Sequence, residues 1–239
     1  MQEVLATSKD RLSISGWFHG PKMDPLPPLQ VSITQKSHNL ADWINPTYIS
    51  SVPLLNETFS EQSYLILRDY IKPAIYSKLI EELDQLAWTT VGPANARHYD
   101  ALTVASPLFE DLLEFLSSST FQTYLESITG LSLAHTSKME TRRFKSGDYT
   151  LIHDDNLDPP GLDMLISFPS VGMEWDPAWG GGLQYISGTD TLLSHFPNAN
   201  ELMVVFREED VLKFVKYVNA SAGQCERREI CNLFSEKDQ

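Results

Sequence analysis

The sequence predicts an α+β fold, a jelly-roll-like double sheet with helices packed on one face. Three observations lead there. Apolar residues between Pro73 and Thr129 recur at helical spacing. After Gly130 the hydrophobic period switches from about 3.6 residues to about 2. Turn chemistry then divides the remainder into about eight short strands, with Ser146-Gly147-Asp148, Pro159-Pro160-Gly161 and Gly180-Gly181-Gly182 as punctuation.

In chain order, Arg11-Leu12-Ser13-Ile14-Ser15-Gly16-Trp17-Phe18 alternates like a half-buried strand, with no neighbouring strand nearby to pair with. Pro21-Lys22-Met23-Asp24-Pro25-Leu26-Pro27-Pro28 must run extended, so residues 21–39 are expected to be a linker. Ala41-Asp42-Trp43-Ile44 and Phe59 mark short docking segments, and Ser63 to Tyr70 reads as a strand. Pro73 suits the first turn of a helix carrying Ile75, Leu79, Leu83 and Leu86 on one stripe. Leu108–Leu116 forms a second helix. Thr120–Thr129 forms a third, with serines before it to cap and Gly130 after it to stop. Strands are expected over Ser132–His135, Glu140–Phe144, Tyr149–His153, Met164–Phe168, Leu183–Ile186, Leu202–Phe206, Phe214–Val218 and Glu229–Phe234. The stretch from Trp175 to Gly182 reads as a loop feeding a tight strand entry.

A net charge of -14 and a pI near 4.7 argue against unaided nucleic-acid binding, which depends on neutralising phosphates. A basic protein partner suits this field better. No apolar run approaches the ~20 residues of a membrane span, and Met1-Gln2-Glu3-Val4-Leu5 lacks the features of a signal peptide. Cys225 and Cys231 are the only cysteines, expected as packed thiols rather than a zinc half-site. An intracellular setting is expected.

Thr150-Leu151-Ile152-His153-Asp154-Asp155 raises the question of a metal. An apolar run ending in His-x-Asp is how a non-haem Fe(II) oxygenase begins its ligand set, which a second His on a later strand completes. An Arg about a dozen residues beyond that His then holds the far carboxylate of 2-oxoglutarate in its guanidinium fork. With six His and 16 Asp, chance alone gives roughly 0.4 His-x-Asp pairs, and His98-x-Asp100, in a non-strand context, is a second one. Counting back from Arg227 reaches Phe214-Val215-Lys216, and no His follows His195, whose surroundings read as loop. The pair His153 and Asp155 is therefore expected to be vestigial, with no metal ligand set, no catalytic residue and no cofactor in this chain. Arg227 is expected to be a surface or salt-bridging residue, and the Glu81/Glu82/Asp84 and Glu208/Glu209/Asp210 clusters solvated faces.

The end of the chain echoes its beginning: Arg227, Ile230 and Phe234 match Arg11, Ile14 and Phe18. Residues 1–20 are thus expected to be the last strand of a preceding copy of the fold, with a degenerate copy over 40–239. Arg11 to Pro21, Gly147-Asp148-Tyr149-Thr150-Leu151-Ile152-His153-Asp154-Asp155 and Trp179-Gly180-Gly181-Gly182-Leu183 resemble the Ofd/Tpa/OGFOD group of prolyl hydroxylases. These are built from two double-stranded β-helix domains in tandem. The resemblance implies a degenerate double-stranded β-helix here, with Arg11 as the 2-oxoglutarate residue of the preceding catalytic domain. For the intact parent it implies Fe(II), 2-oxoglutarate, ascorbate and hydroxylation of a ribosomal-protein proline. The chain is most similar to a fission-yeast member whose C-terminal domain promotes degradation of a sterol-responsive transcription factor under an inhibitory regulator. That implies a non-catalytic protein-interaction domain in the nucleus and cytoplasm, with no nucleic acid or membrane as partner. The alternative is a second oxygenase domain that binds Fe(II) and 2-oxoglutarate weakly.

Overall fold

The structure, a computed structural model, describes residues 38–134, 139–152, 159–170 and 174–237. Helices dominate its first half because the sequence supplies both stripes and caps. Asn39 and Asn45 accept backbone N–H bonds at the starts of α1 (Leu40–Trp43) and α2 (Pro46–Ser50). α3 (Val52–Gln62) ends at Ser63, whose φ of 60° turns the chain into strand β1 (Tyr64–Arg68). α4 (Pro73–Leu83) buries Leu79, Ile80 and Leu83, and β2 (Trp88–Val91) and β3 (Arg97–Leu102) follow as an antiparallel pair. Ser106 and Ser118 cap α5 (Pro107–Leu116) and α6 (Ser119–Thr129), and Gly130, at φ 75°, closes α6 in the left-handed region where glycine carries no Cβ penalty.

The strands β4 (Glu140–Phe144), β5 (Tyr149–Thr150), β6 (Gly161–Ser167), β7 (Leu183–Ser187), β8 (Asp190–His195), β9 (Glu201–Arg207), β10 (Val211–Val215) and β11 (Arg227–Phe234) complete the chain. The larger sheet runs β1-β9-β6-β11-β4-β3-β2, with β5 joined to β3, and the smaller runs β10-β7-β8. Every pairing is antiparallel.

Side chains alternate across a strand, so the larger sheet feeds two apolar layers. Ile230, Phe234, Leu162, Met164 and Ile166 pack with the helices through Phe109, Phe121 and Leu125. Phe144, Leu165, Met203 and Val205 face Leu183, Tyr185, Val211 and Val215 of the smaller sheet. This is the double-stranded β-helix with helices on one face. On β11, Arg227, Glu229 and Cys231 alternate with Ile230 and so point between the sheets.

Several sequence expectations change. β2, β3 and β8 were missed: Thr89-Thr90 and the polar surroundings of His98 carry little apolar alternation, and tertiary pairing overrides that weak local signal. His98-x-Asp100 therefore lies on a strand, and His195 ends β8 instead of sitting in a loop. β10 starts earlier than expected and stops at Val215. The expected Ser132–His135 strand reduces, among the described residues, to one bridge between Leu133 and Glu236. The expected Trp175–Gly182 loop contains a short 3-10 turn at Pro177–Trp179.

Candidate functional site

The strands expected to carry ligands do come together. Val215 is buried, and its N–H donates to Thr150 Oγ1 at 2.7 Å, which ties β10 to the strand leading toward His153. Val215, Leu183 and His195 lie in one row across the smaller sheet. His195 is thus two strands away from Val215, about 10 Å at ordinary strand spacing. Its Nε2 is 2.9 Å from the buried Glu201 carboxylate, whose other contacts include Asn198 and Arg68. His153, Asp155 and Arg11 lie outside the described residues. Among the described residues no group of three His, Cys, Asp or Glu could hold a metal ion.

The second His-x-Asp pair serves the framework. His98 Nδ1 is 2.6 Å from Asp148 Oδ1, and Lys145 N–H donates to the other Asp148 oxygen. Asp100 accepts from Arg143, Lys145 and Thr90. Burial would raise the Asp100 pKa, but the lysine, arginine and threonine contacts outweigh it and hold the carboxyl below the usual range.

Arg227 was expected at the surface or in a salt bridge. It is in a salt bridge, and it is fully buried. Its Nε donates to Glu229 Oε2 at 2.6 Å and its Nη1 to the Gly181 carbonyl at 2.6 Å. Arg142, directly opposite Glu229 on β4, donates from Nη2 to Glu229 Oε1 at 2.5 Å. Both guanidinium groups lie over the Phe144 ring, 5.5 and 5.9 Å from its centroid. Tyr99 donates its hydroxyl to Glu140 on the far side of Arg142. Burial would raise the Glu229 pKa, yet Arg227 and Arg142 hold it below the ordinary carboxylate value. A second buried set, Asp163 with Arg207 and Lys213, lies between the same sheets. The alternation in Arg227-Arg228-Glu229 could have shown that residues 227 and 229 share a face; the role of Arg142 could not be read without the strand register.

A carboxylate cosubstrate at Arg227 does not fit this arrangement, because Glu229 and the Gly181 carbonyl already hold its guanidinium. No chemical step through oxoglutarate or a metal follows from the described residues.

Two other assignments also change. Arg228, buried on the helical side, pairs with Asp84 and donates to the Phe168 carbonyl, and Glu82 accepts from Ser106. The Glu82/Asp84 cluster is therefore partly structural and not simply a solvated face. Cys225 and Cys231 are not joined in a disulfide, and burial pushes the Cys231 thiol up to about 12.

The fold is shared with solved prolyl hydroxylases. A prolyl hydroxylase from Trichoplax adhaerens, in complex with a hypoxia inducible factor oxygen degradation domain peptide fragment, superposes with a TM-score of 0.57 at 10% identity, covering 80% of this chain and 91% of that one. A Pseudomonas putida prolyl-4-hydroxylase gives 0.56 at 12% identity, over 78% of this chain and 100% of that one. Among curated proteins, prolyl 3-hydroxylase OGFOD1 of Xenopus laevis is 30% identical over 94% of this chain and 53% of its own length. The Mus musculus protein of that name is 26% identical over 92% of this chain and 55% of its own. The chain spans about half the length of these relatives.

These matches overturn two expectations, that the chain is no enzyme and that it takes no cofactor. Relatives named prolyl hydroxylases match over more than nine-tenths of it, and such hydroxylases use iron and oxoglutarate. One missing ligand position is too narrow a ground for the whole chain, which matches about half the length of relatives named prolyl 3-hydroxylases. Residues 35–237 match the model described as "Oxoglutarate and iron-dependent oxygenase degradation C-term", and the chain belongs to that family.

Proposed function

We propose that this chain is the C-terminal part of an oxoglutarate- and iron-dependent prolyl hydroxylase and contributes to it by binding protein partners. The partners we propose are a transcription factor whose degradation it promotes and a regulator that restrains it. The observation that carries this reading is the family match over 35–237, whose description joins oxygenase chemistry to degradation. The arrangement is completed by residues 1–20 as the last strand of a preceding catalytic domain, 21–39 as linker, and action in the nucleus and cytoplasm on a ribosomal-protein prolyl. A net charge of -14 favours basic protein surfaces over nucleic acid. No helix among the described residues is long and apolar enough to cross a membrane.

The test deletes residues 40–239 from the full protein and follows two readouts. The transcription factor's half-life should lengthen several-fold, and the chain supplied separately should restore its turnover. Unchanged turnover on deletion would overturn the proposal. Mass spectrometry of prolyl hydroxylation in the same cells reports whether the chemical step also depends on this part.

A second reading, in which this domain itself binds Fe(II) and oxoglutarate, is favoured by the Thr150–Val215 bond, which holds the strand leading to His153 against β10. Under it, Mn(II) with oxoglutarate should raise the melting temperature, and His153→Ala should abolish that rise.

A further inference from the structure

We infer that Arg142 and Arg227 form a carboxylate-binding site between the two sheets and that Glu229 fills it from within the chain. The two guanidinium groups come from different strands and each takes one oxygen of the same carboxylate. Arg227 is anchored separately by the Gly181 carbonyl, so its position does not depend on the glutamate alone. The site also offers more than its occupant uses. Ser167, directly opposite Glu229 on β6, has a buried hydroxyl with no hydrogen-bond partner, and Arg142 Nε is buried and likewise without one. Glu140 lies on the Tyr99 side of Arg142, and Tyr185 and Cys231 stand between Glu229 and the neighbouring set of Asp163, Arg207 and Lys213.

Two arginines around one carboxylate, over an aromatic ring and away from water, bind carboxylates strongly. A free acid such as 2-oxoglutarate can reach them only when the Glu229 side chain withdraws. This site is independent of the proposed partner role.

Truncating Glu229 to Ala removes a piece the size of acetate, which makes chemical rescue the test. Thermal unfolding of the full chain is followed for wild type, Glu229→Ala and Glu229→Gln in acetate, acetamide and chloride at matched ionic strength. Glu229→Ala should melt lower, and acetate should restore at least half of the loss saturably. Acetamide and chloride should not, and Glu229→Gln, whose amide still fills the space, should gain nothing. If Glu229→Ala does not fold, its refolding yield in acetate against chloride gives the same comparison. Acetate acting no better than chloride overturns the inference. So does a saturable 2-oxoglutarate shift in wild type that Arg227→Lys abolishes, because Glu229 would then not block the site.

Discussion

Glu229 on β11 lies directly opposite Arg142 on β4 and two residues from Arg227, and all three side chains are buried or nearly so. Folding therefore carries an ionised carboxylate out of water and depends on its staying ionised. An unfolded glutamate titrates near about 4.3 and an aspartate near about 3.9. Glu229 and Asp100 both titrate lower in the native state. The unfolded chain then binds more protons than the native one as pH falls, so the stability these groups contribute is present above about pH 5 and is lost through their native pKa values. The urea midpoint should hold nearly constant from pH 8 to pH 5 and fall steeply below about pH 4. Asp100→Asn should lower the midpoint at pH 7 and flatten the acid limb. An acid limb unchanged by this substitution would rule out Asp100 as a contributor.

Thr150→Val removes the acceptor of the Val215 N–H while keeping the side-chain shape. Leaving a buried donor unsatisfied costs about 1–3 kcal/mol. The chemical denaturation midpoint should fall accordingly, with an unchanged slope. Amide exchange at Val215 should accelerate by one to two orders of magnitude, about what that energy implies. Thr150→Ser keeps the acceptor oxygen and should retain most of the protection.

Cys231 gives a chemical probe of the same interior. With its thiol pushed up to about 12 by burial, almost none is thiolate at pH 8. Cys231 is only half-buried, so an aromatic disulfide reagent should react with it slowly for want of thiolate, and quickly once guanidinium unfolds the chain. Fast stoichiometric labelling of Cys231 in the native state would contradict the raised thiol pKa.

Much of the fold was legible because its signals are local. The serines before Thr120, Gly130 after Thr129 and the stripe on α4 act within one or two turns of chain; the structure places α5 and α6 within a residue of expectation and ends α4 at Leu83, three residues short of Leu86. β6, β9 and β11 carry enough apolar residues to be read as strands, since both faces of a central strand are buried. β2 and β3 were illegible because Thr89, Thr90, His98 and Asp100 gain their places from pairing and hydrogen bonds made across the sheet. The site was legible only as positions: Val215 and Arg227 were picked out by spacing, but the Arg142–Glu229–Arg227 set joins residues 85 and more apart in sequence, through a register that no single strand encodes.

Arg228 and Asp84 show how an apparently solvated acidic cluster can stabilise the fold. The Arg228 guanidinium is buried under α4, while Asp84 just beyond that helix remains 56% exposed. An ion pair between two exposed groups is worth about 0–1 kcal/mol, whereas removing one member of a buried pair costs about 3–5 kcal/mol. With one buried and one half-exposed partner, and with the Phe168 carbonyl still accepting from Arg228 Nε, Asp84→Ala should cost about 1–2 kcal/mol, between those limits. Glu81→Ala, three residues earlier and without a comparable partner among the described contacts, should change stability by less than about 0.5 kcal/mol. Equal losses for the two variants in urea denaturation would mean that the cluster acts through its net charge and not through the Arg228 contact. A double-mutant cycle with Arg228→Met should then isolate a coupling of about 1 kcal/mol or more for the pair.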